Sequence, residues 1–234
     1  PEPEAVESGT QVRVQHLFYN VPARRQFLKS DATEFRHILR IFQQMSLAHP
    51  AISFKLIADT DTIYDLPVQS LQQRIVDLFG KSYEANLIQA DESTSYLRVH
   101  GVLADPAFGK KSRGEQFLFV NGRPFQDRLL TYQILKEYEY WKKQDEYPFY
   151  ALFLELDPEK VDINVHPSKM EVKFEDDRSV YRLVTTVVKK AINSYRHVPE
   201  YEYQNTNGPA SNQNIPSVLN FHFGSHDIQQ SDRQ

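Results

Sequence analysis

Residues Val161 to Phe174 read V-D-I-N-V-H-P-S-K-M-E-V-K-F and constrain the fold more than any other stretch of the chain. Apolar and polar residues alternate from Val161 to Val165 and again from Met170 to Phe174, on either side of a proline-containing break. This pattern predicts two half-buried strands joined by a rigid loop that ends at Lys169. A lysine held in such a frame can bind a phosphate, but the pattern alone favours an ordinary solvated turn lysine.

The helices of the second half have clear signals at their ends. The longest one has apolar residues at i, i+3, i+4 and i+7 from Val180 to Tyr195, which is typical of a helix with one face in the core. Another is predicted between a capping residue, Ser70, and a terminating residue, Gly80. A third is predicted from about Gln126 to Lys143, and its core-facing residues are expected to be Leu129, Leu130, Ile134 and Tyr138.

Strands alternate with these helices. Tyr96 to Ala104 and Phe149 to Leu156 have strand composition, and Gln116 to Pro124 contains Asn121-Gly122, a strong hairpin turn signal. We therefore predict an α+β fold, in which a mixed sheet of four or five strands has its helices packed on one face.

The patterns within residues 1–66 predict a separate group of secondary-structure elements. Val12 and Val14 alternate with polar neighbours as in a strand, and Asn20 resembles the N-cap of a short helix. A second helix is expected from Asp31, followed by a hairpin between residues 52 and 66.

Composition limits the function classes. The 234 residues carry a net charge of −4, so the whole chain is not a basic nucleic-acid binder, and any such role requires a local patch. The chain has no cysteine, which excludes a disulfide framework and cysteine-ligated zinc and suits a reducing cytoplasm. No apolar run is long enough for a membrane span. Because residue 1 is proline, we expect a piece of a longer chain.

One local patch exists between residues 108 and 143. This segment has eight basic and four acidic residues, a net charge of +4 in a chain of net −4. Such a segment is a candidate phosphate-binding surface, although the charge count alone favours ordinary surface charge. The candidate DNA-binding residues are Lys110, Lys111, Arg113, Arg123 and Arg128.

Three stretches together resemble the MutL family of DNA mismatch repair proteins. They are V-D-I-N-V-H-P-S-K-M-E-V-K-F, the motif F-L-F-V-N-G-R-P-F-Q-D-R-L, and G-T-Q-V-R-V-Q-H-L-F-Y-N-V-P-A-R-R-Q-F-L-K near the start. Either of the V-N-G-R and H-P-S-K motifs alone is weak, but the combination is specific. The resemblance covers roughly Gly9 to Tyr195.

The resemblance implies a domain organisation. Residues 1–66 would be the C-terminal part of an ATPase α/β sandwich of the GHKL fold, which gyrase and Hsp90 share. Residues 67–196 would be the transducer domain, which is similar to a domain of a ribosomal protein. Residues 197–234 are rich in Asn, Gln and Ser and would be a disordered linker. The apolar segment Ser217 to Phe223 within them is either a docking segment or residual hydrophobicity.

The resemblance also implies roles for single residues. The lysine at the position of Lys169 contacts the γ-phosphate of ATP, and the threonine at the position of Thr10 helps to hold adenine. The arginine at the position of Arg128 supports DNA binding, which would be insensitive to base sequence because no base-reading motif is present. The catalytic glutamate, the magnesium-binding asparagine and the glycine-rich lid of the family have no counterpart here. We therefore expect a parent protein with weak ATPase activity and magnesium-bound ATP, and a chain that is inactive alone.

The partners follow from the same resemblance. They would be DNA, a mismatch-recognition protein of the MutS type, a downstream nuclease or helicase, and a second subunit, identical or paralogous, with no membrane contact. ATP-driven closure of the dimer would pass the mismatch signal to the nuclease. The location would be the cytoplasm, or the nucleus in a eukaryote. Two alternatives remain: the transducer domain of another GHKL machine such as a type II topoisomerase, and a purely structural interaction module.

Overall fold

The computed structural model describes residues 10–165 and 169–195. The proline-containing break at residues 166–168, the predicted linker and its apolar segment lie outside the described residues. The described helices are α1 (Pro22–Arg25), α2 (Asp31–Ala48), α3 (Leu71–Phe79), α4 (Arg128–Tyr138) and α5 (Asp177–Tyr195). None of these helices combines the length and the apolar character that a membrane span needs.

A mixed sheet of five strands forms the centre of the fold. Its order is β3-β4-β9-β6-β7, and β6 runs parallel to β9 while all other neighbours are antiparallel. The prediction of an α+β fold with a mixed sheet of four or five strands is therefore confirmed. The strands are β1 (Phe54–Ala58), β2 (Asp61–Leu66), β3 (Leu87–Ser93), β4 (Leu97–Ala104), β5 (Gly109–Lys110), β6 (Gln116–Val120), β7 (Arg123–Phe125), β8 (Tyr147–Pro148), β9 (Tyr150–Leu156), β10 (Val161–Asp162) and β11 (Lys173–Phe174).

Helices cover both faces of the sheet, so the prediction that they lie on one face is wrong. Alternate residues of β6 and β9, such as Leu118 and Leu152, join one core with α4 and α5. The residues between them, such as Phe117 and Ala151, join a second core with α2, α3 and the β1–β2 hairpin. Central strands that are apolar on both faces must be covered on both. The hairpin and the sheet thus share a core, and the domain boundary predicted near residue 66 stays a prediction.

Several local signals are confirmed. The β6–β7 hairpin turns at Asn121-Gly122, where φ is +47° and +77°, as a tight turn between right-twisted strands requires. Ser70 Oγ accepts a hydrogen bond of 3.2 Å from the backbone N–H of Gln73 at the start of α3, and Gly80 ends that helix at φ +111°. The β1–β2 hairpin forms as expected.

The segment around Val12 and Val14 is not a strand, contrary to the prediction. Their side chains are 81% and 70% exposed, and among residues 10–165 and 169–195 no strand pairs with this segment. Alternation predicts a strand only where a neighbour supplies hydrogen bonds and an apolar surface. Just after it, α1 begins at Pro22 with Val21 as N-cap, one residue later than the predicted N-cap Asn20.

Two predicted elements are shorter in the structure. Helix α4 ends at Tyr138 and not at Lys143, and Leu129 is 53% exposed because the buried face follows Leu130, Ile134 and Tyr138 at a spacing of four. The two strands predicted around Lys169 reduce to an antiparallel pair of two residues each, β10 and β11. From the sequence, no strand is predicted at the position of β3.

Arg74 joins three separate segments inside the second core. The side chain is fully buried on α3, and its Nη2 donates to the carbonyl oxygens of Pro50, Ile52 and Pro67 at 3.0, 2.9 and 2.7 Å. Because these carbonyls lie before and after the β1–β2 hairpin, one guanidinium fixes both ends of the hairpin against α3.

We predict that Arg74→Ala lowers the free energy of unfolding by about 3 kcal/mol, because it leaves buried carbonyls without donors and opens a cavity. Chemical denaturation measures this loss. Gln73→Ala, one residue away on the exposed side of α3, is the matched control and should change stability by less than about 0.5 kcal/mol. Equal losses in the two variants would contradict the role assigned to Arg74.

Candidate nucleic-acid interface

A groove of about 410 Å³ opens beside the start of α4. We call it the arginine groove, because three arginines from three separate parts of the sequence line it: Arg40, Arg113 and Arg128. The other lining residues are Gly114, Gln116, Leu118, Phe125, Gln126, Asp127 and Thr131. Of the described residues that line it, Asp127 alone is acidic and three are arginines, so this lining has an excess of positive charge.

Arg128 is placed by the N-terminus of α4. It is the first residue of the helix and is exposed. The N-cap residue Asp127 accepts a hydrogen bond of 2.8 Å from the backbone N–H of Leu130, and its other carboxylate oxygen accepts one from the hydroxyl of Tyr181 on α5. A capped helix start is a fixed point of the backbone, so the Cα of Arg128 is held firmly while its guanidinium reaches solvent.

Arg113 lies in the loop between β5 and β6. Its Nη2 donates to the hydroxyl of Tyr147 at 2.8 Å, and its guanidinium lies 4.6 Å from the centre of the same ring. Stacking and hydrogen bonding to one aromatic side chain restrict an otherwise mobile arginine. The charge therefore stays at the wall of the groove.

Arg40 lies on α2, which precedes all the strands of the central sheet in the sequence, and it was not predicted as a site residue. Its Nη1 donates to the carbonyl oxygen of Gly114, its Nη2 donates to that of Gln116 at 3.4 Å, and its guanidinium lies 5.3 Å from the ring centre of Phe117. Burial lowers the pKa of Arg40 from its ordinary value, but an arginine remains charged at neutral pH. In the sequence it is one charge on an amphipathic helix, so no signal marks it.

The other predicted DNA-binding residues lie outside the lining of the arginine groove. Lys110 Nζ pairs with Glu115 Oε1 at 2.9 Å and lies 4.7 Å from the ring centre of Tyr83, so a neighbouring carboxylate offsets its charge. Lys111 is exposed in the same loop, and Arg123 is exposed at the start of β7.

The two predicted nucleotide-binding residues are both exposed. Thr10 is exposed and belongs to no helix or strand. Lys169 is exposed and has φ +52°, the left-handed conformation that a non-glycine residue rarely adopts. The next residue is anchored, because the backbone N–H of Gln126 donates to the carbonyl oxygen of Met170 at 2.7 Å. The structure therefore ties Lys169 to a residue that lines the arginine groove.

These residues do not form a nucleotide pocket by themselves. ATP requires a cradle of backbone N–H groups for its phosphates and acidic or amide oxygens for magnesium. Among residues 10–165 and 169–195, no cluster of three or more His, Asp or Glu side chains is arranged to hold a metal ion. The assignment of Lys169 and Thr10 to a nucleotide site therefore stays a prediction.

Comparison with known proteins identifies the family. The family described as "DNA mismatch repair protein, C-terminal domain" matches residues 75–193, which is more than half of the chain. The chain belongs to the MutL family of DNA mismatch repair proteins. The DNA mismatch repair protein MutL of Christiangramia forsetii is 40% identical over 196 residues, which are 84% of this chain and 32% of the relative. MutL of Chlorobium luteolum is 40% identical over 194 residues, 83% of this chain and 31% of the relative. The chain thus spans about a third of the length of these MutL proteins.

Solved structures support the fold. The N-terminal domain of a DNA repair protein superposes with a TM-score of 0.65 at 24% identity, covering 76% of this chain and 59% of that one. The Aquifex aeolicus MutL ATPase domain complexed with ADP gives 0.52 at 22% identity, covering 76% and 56%. The prediction of a MutL-family chain is confirmed, which decides against the topoisomerase alternative.

Four buried or half-buried tyrosines have raised pKa values, and three of them contact residues of the arginine groove or of the loop before β6. Burial raises the pKa of Tyr150 to about 12, and its hydroxyl makes a 3.3 Å hydrogen bond with Thr131 of the groove. Burial, followed by a hydrogen bond to a carboxylate, raises the pKa of Tyr83 and of Tyr181. Burial also raises the pKa of Tyr138.

A raised tyrosine pKa stabilises the fold while the phenol is protonated in both states. That stability is complete below the unfolded pKa near 10 and is lost as pH rises toward and through the folded pKa. We predict that the free energy of unfolding falls by about 1.4 kcal/mol per pH unit for each such tyrosine above about pH 10. Denaturation at a series of alkaline pH values measures the slope. Tyr150→Phe should make the slope shallower, and an unchanged slope would contradict this origin.

Proposed function

We propose that this chain is the part of a MutL-type mismatch repair protein that binds DNA backbone and senses the nucleotide state. The observation that carries the proposal is the arginine groove, where Arg40, Arg113 and Arg128 line one depression. Neighbouring groups limit the movement of the Arg40 and Arg113 guanidinium groups, so these two side chains lose less conformational entropy when a phosphate binds. Arg128 is held only at its backbone, at the capped start of α4. Arginine side chains suit phosphate binding, and the sequence has no base-reading motif, so binding should depend on salt and not on base sequence.

Lys169 gives the nucleotide-sensing part of the proposal. In the whole protein it would contact the γ-phosphate of ATP, and Thr10 would help to hold adenine, while residues outside this chain would supply the catalytic glutamate and the magnesium ligand. The left-handed backbone at Lys169 and the anchored Met170 support this role, because an exposed lysine on a constrained backbone is suited to reach a ligand. ATP-driven closure of a dimer, homomeric or paralogous, would then act through this chain on a downstream nuclease, after a MutS-type protein has recognised the mismatch.

The first test measures DNA affinity by fluorescence anisotropy over a series of salt concentrations. Removing one phosphate contact lowers the slope of log affinity against log salt by about 0.9. We predict that Arg128→Gln weakens binding and shows this shallower slope. Arg40→Gln should do the same, because its guanidinium borders the groove from α2.

Arg36→Gln is the matched control for both substitutions. It removes an equal charge from an exposed position on α2, one turn before Arg40, and Arg36 does not line the groove. The melting temperature of each variant must match that of the parent chain, because Arg40 also holds the carbonyl of Gly114. If Arg36→Gln and Arg128→Gln lowered the DNA affinity equally, binding would be due to unspecific charge attraction, and the role assigned to the arginine groove would be contradicted.

The second test uses the full-length protein. We predict that Lys169→Ala lowers ATP hydrolysis about tenfold or more, because a contact to the transferred phosphate is lost. Lys173→Ala, four residues away and also exposed, is the matched control and should leave hydrolysis unchanged. DNA binding by the isolated chain should be unaffected by Lys169→Ala. Full ATPase activity in that variant would remove Lys169 from the nucleotide site.

A further inference from the structure

Strand β3 is an open edge of the central sheet. It pairs with β4 on one side, and within the described ranges, 10–165 and 169–195, no strand pairs with its other side. Hydrogen bonds of 2.9 Å from Asp105 N to Asn86 O and of 3.0 Å from Thr94 N to Leu97 O frame this pairing at its two ends. Because bonded pairs alternate in an antiparallel ladder, the even-numbered residues of β3 bond to β4. The residues that direct their N–H and C=O groups outward are Leu87, Gln89, Asp91 and Ser93.

A groove of about 360 Å³ runs along this edge and leaves it accessible. Its walls are residues 87–92 of β3 and the last turns of α5, which include the small side chains of Ala191 and Ser194. Lys190 of α5 forms an ion pair with Glu92 of β3 across the groove. Natural sheets usually cover or shorten an edge of this length. This edge strand is seven residues long, and no strand of residues 10–165 or 169–195 covers its outer side.

We propose that β3 pairs with β3 of a second copy of this chain, antiparallel and about a two-fold axis at Ala90. In that register Gln89 lies opposite Asp91 of the second copy, and Leu87 lies opposite Ser93. All four outward residues of each strand then take part in bonded pairs. The two five-stranded sheets become one continuous sheet of ten strands, with α5 on the same face in both copies.

Charge complementarity selects this occupant and this register. The Gln89 amide can donate to the Asp91 carboxylate opposite, and Arg98 holds that carboxylate in place with hydrogen bonds of 3.0 and 2.8 Å. A register shifted by one step toward Ser93 loses one bonded pair and places Asp91 directly opposite Asp91, which is destabilising. A shift the other way also loses a pair and places Asp91 opposite Leu87. The strand is therefore most complementary to itself in a single register.

The contact is small, because one edge strand of seven residues supplies it. Stable dimers bury roughly 1,200 Å² or more, so we expect a weak dimer that forms as the chain concentration rises. This inference does not rest on the proposed DNA and nucleotide roles.

Engineered disulfides test the register, since the chain has no cysteine of its own. Residues opposite each other in a bonded pair have Cα atoms about 5.5 Å apart, which suits a disulfide. An oxidised mixture of Gln89→Cys and Asp91→Cys chains should give a covalent dimer in several-fold higher yield than either variant alone. In either variant alone the two thiols are diagonal neighbours about 7–8 Å apart. Equal yields in all three samples would overturn the register.

Sedimentation of the full chain at increasing concentration measures its oligomeric state and tests whether the β3 edge is the dimer interface. Gln89→Pro removes one outward N–H without touching the bonds to β4, and proline is tolerated on an edge strand. We expect this variant to stay monomeric with an unchanged melting temperature, and Gln89→Ala, which keeps the N–H, to dimerise like the parent. A parent chain that is monomeric throughout overturns the proposal. A dimer that persists in folded Gln89→Pro also overturns it, and would point to the exposed apolar residues Ile38, Ile41 and Met45 of α2. If Gln89→Pro does not fold, the disulfide yields decide.

Discussion

The parallel pairing of β6 with β9 organises the rest of the structure. Phe117 lies opposite Ala151 and Val120 opposite Leu154, and both strands are buried on both faces. Because parallel neighbours cannot be joined by a short turn, the 29 residues between them must return to the starting end of β6 by a longer path. That path includes β7 at the edge of the sheet, then α4 and β8. The same constraint that buries the centre of the sheet therefore brings Arg128 to the edge where the chain begins its return.

The arginine groove follows from this arrangement. Arg113 lies in the loop that enters β6, and Arg128 lies at the start of α4, shortly after the β6–β7 hairpin. The position of β6 in the sheet therefore determines where both arginines lie. Gly114 has φ +132°, and a Cβ there would lie 3.8 Å from Nη1 of Arg40. The glycine lets the loop turn while its carbonyl meets Arg40 from α2. A contact between elements 74 residues apart thus joins the last arginine to the groove.

Local sequence was sufficient to predict an element wherever a single turn or a single helix face determines its structure. Asn121-Gly122, Ser70 and the apolar stripe of α5 each act through their own backbone or through neighbours three or four residues away, so spacing alone predicts them. Resemblance to the MutL family marked Arg128 because it lies within a recognisable motif. Arg40 lies in no such motif, and its role depends on a loop that folds against it. The alternation at Val12 and Val14 was misleading for the same reason, since a strand depends on a partner that local sequence does not specify.

The start of α4 is where the two proposed binding activities meet. The backbone N–H of Gln126 donates a hydrogen bond to the carbonyl oxygen of Met170, and the hydroxyl of Tyr181 on α5 donates one to Asp127. The two residues just before Arg128 are therefore held by the segment before β11 and by α5. If Lys169 binds a phosphate, the pull on its backbone reaches Gln126 through one peptide unit and one hydrogen bond. The affected residue lines the arginine groove. A shift there changes the position of Arg128 relative to Arg40 and Arg113, which are held by other segments. In this proposal, coupling between nucleotide and DNA would require no change in the core, because the link from Lys169 runs through Met170 to Gln126, two residues before α4.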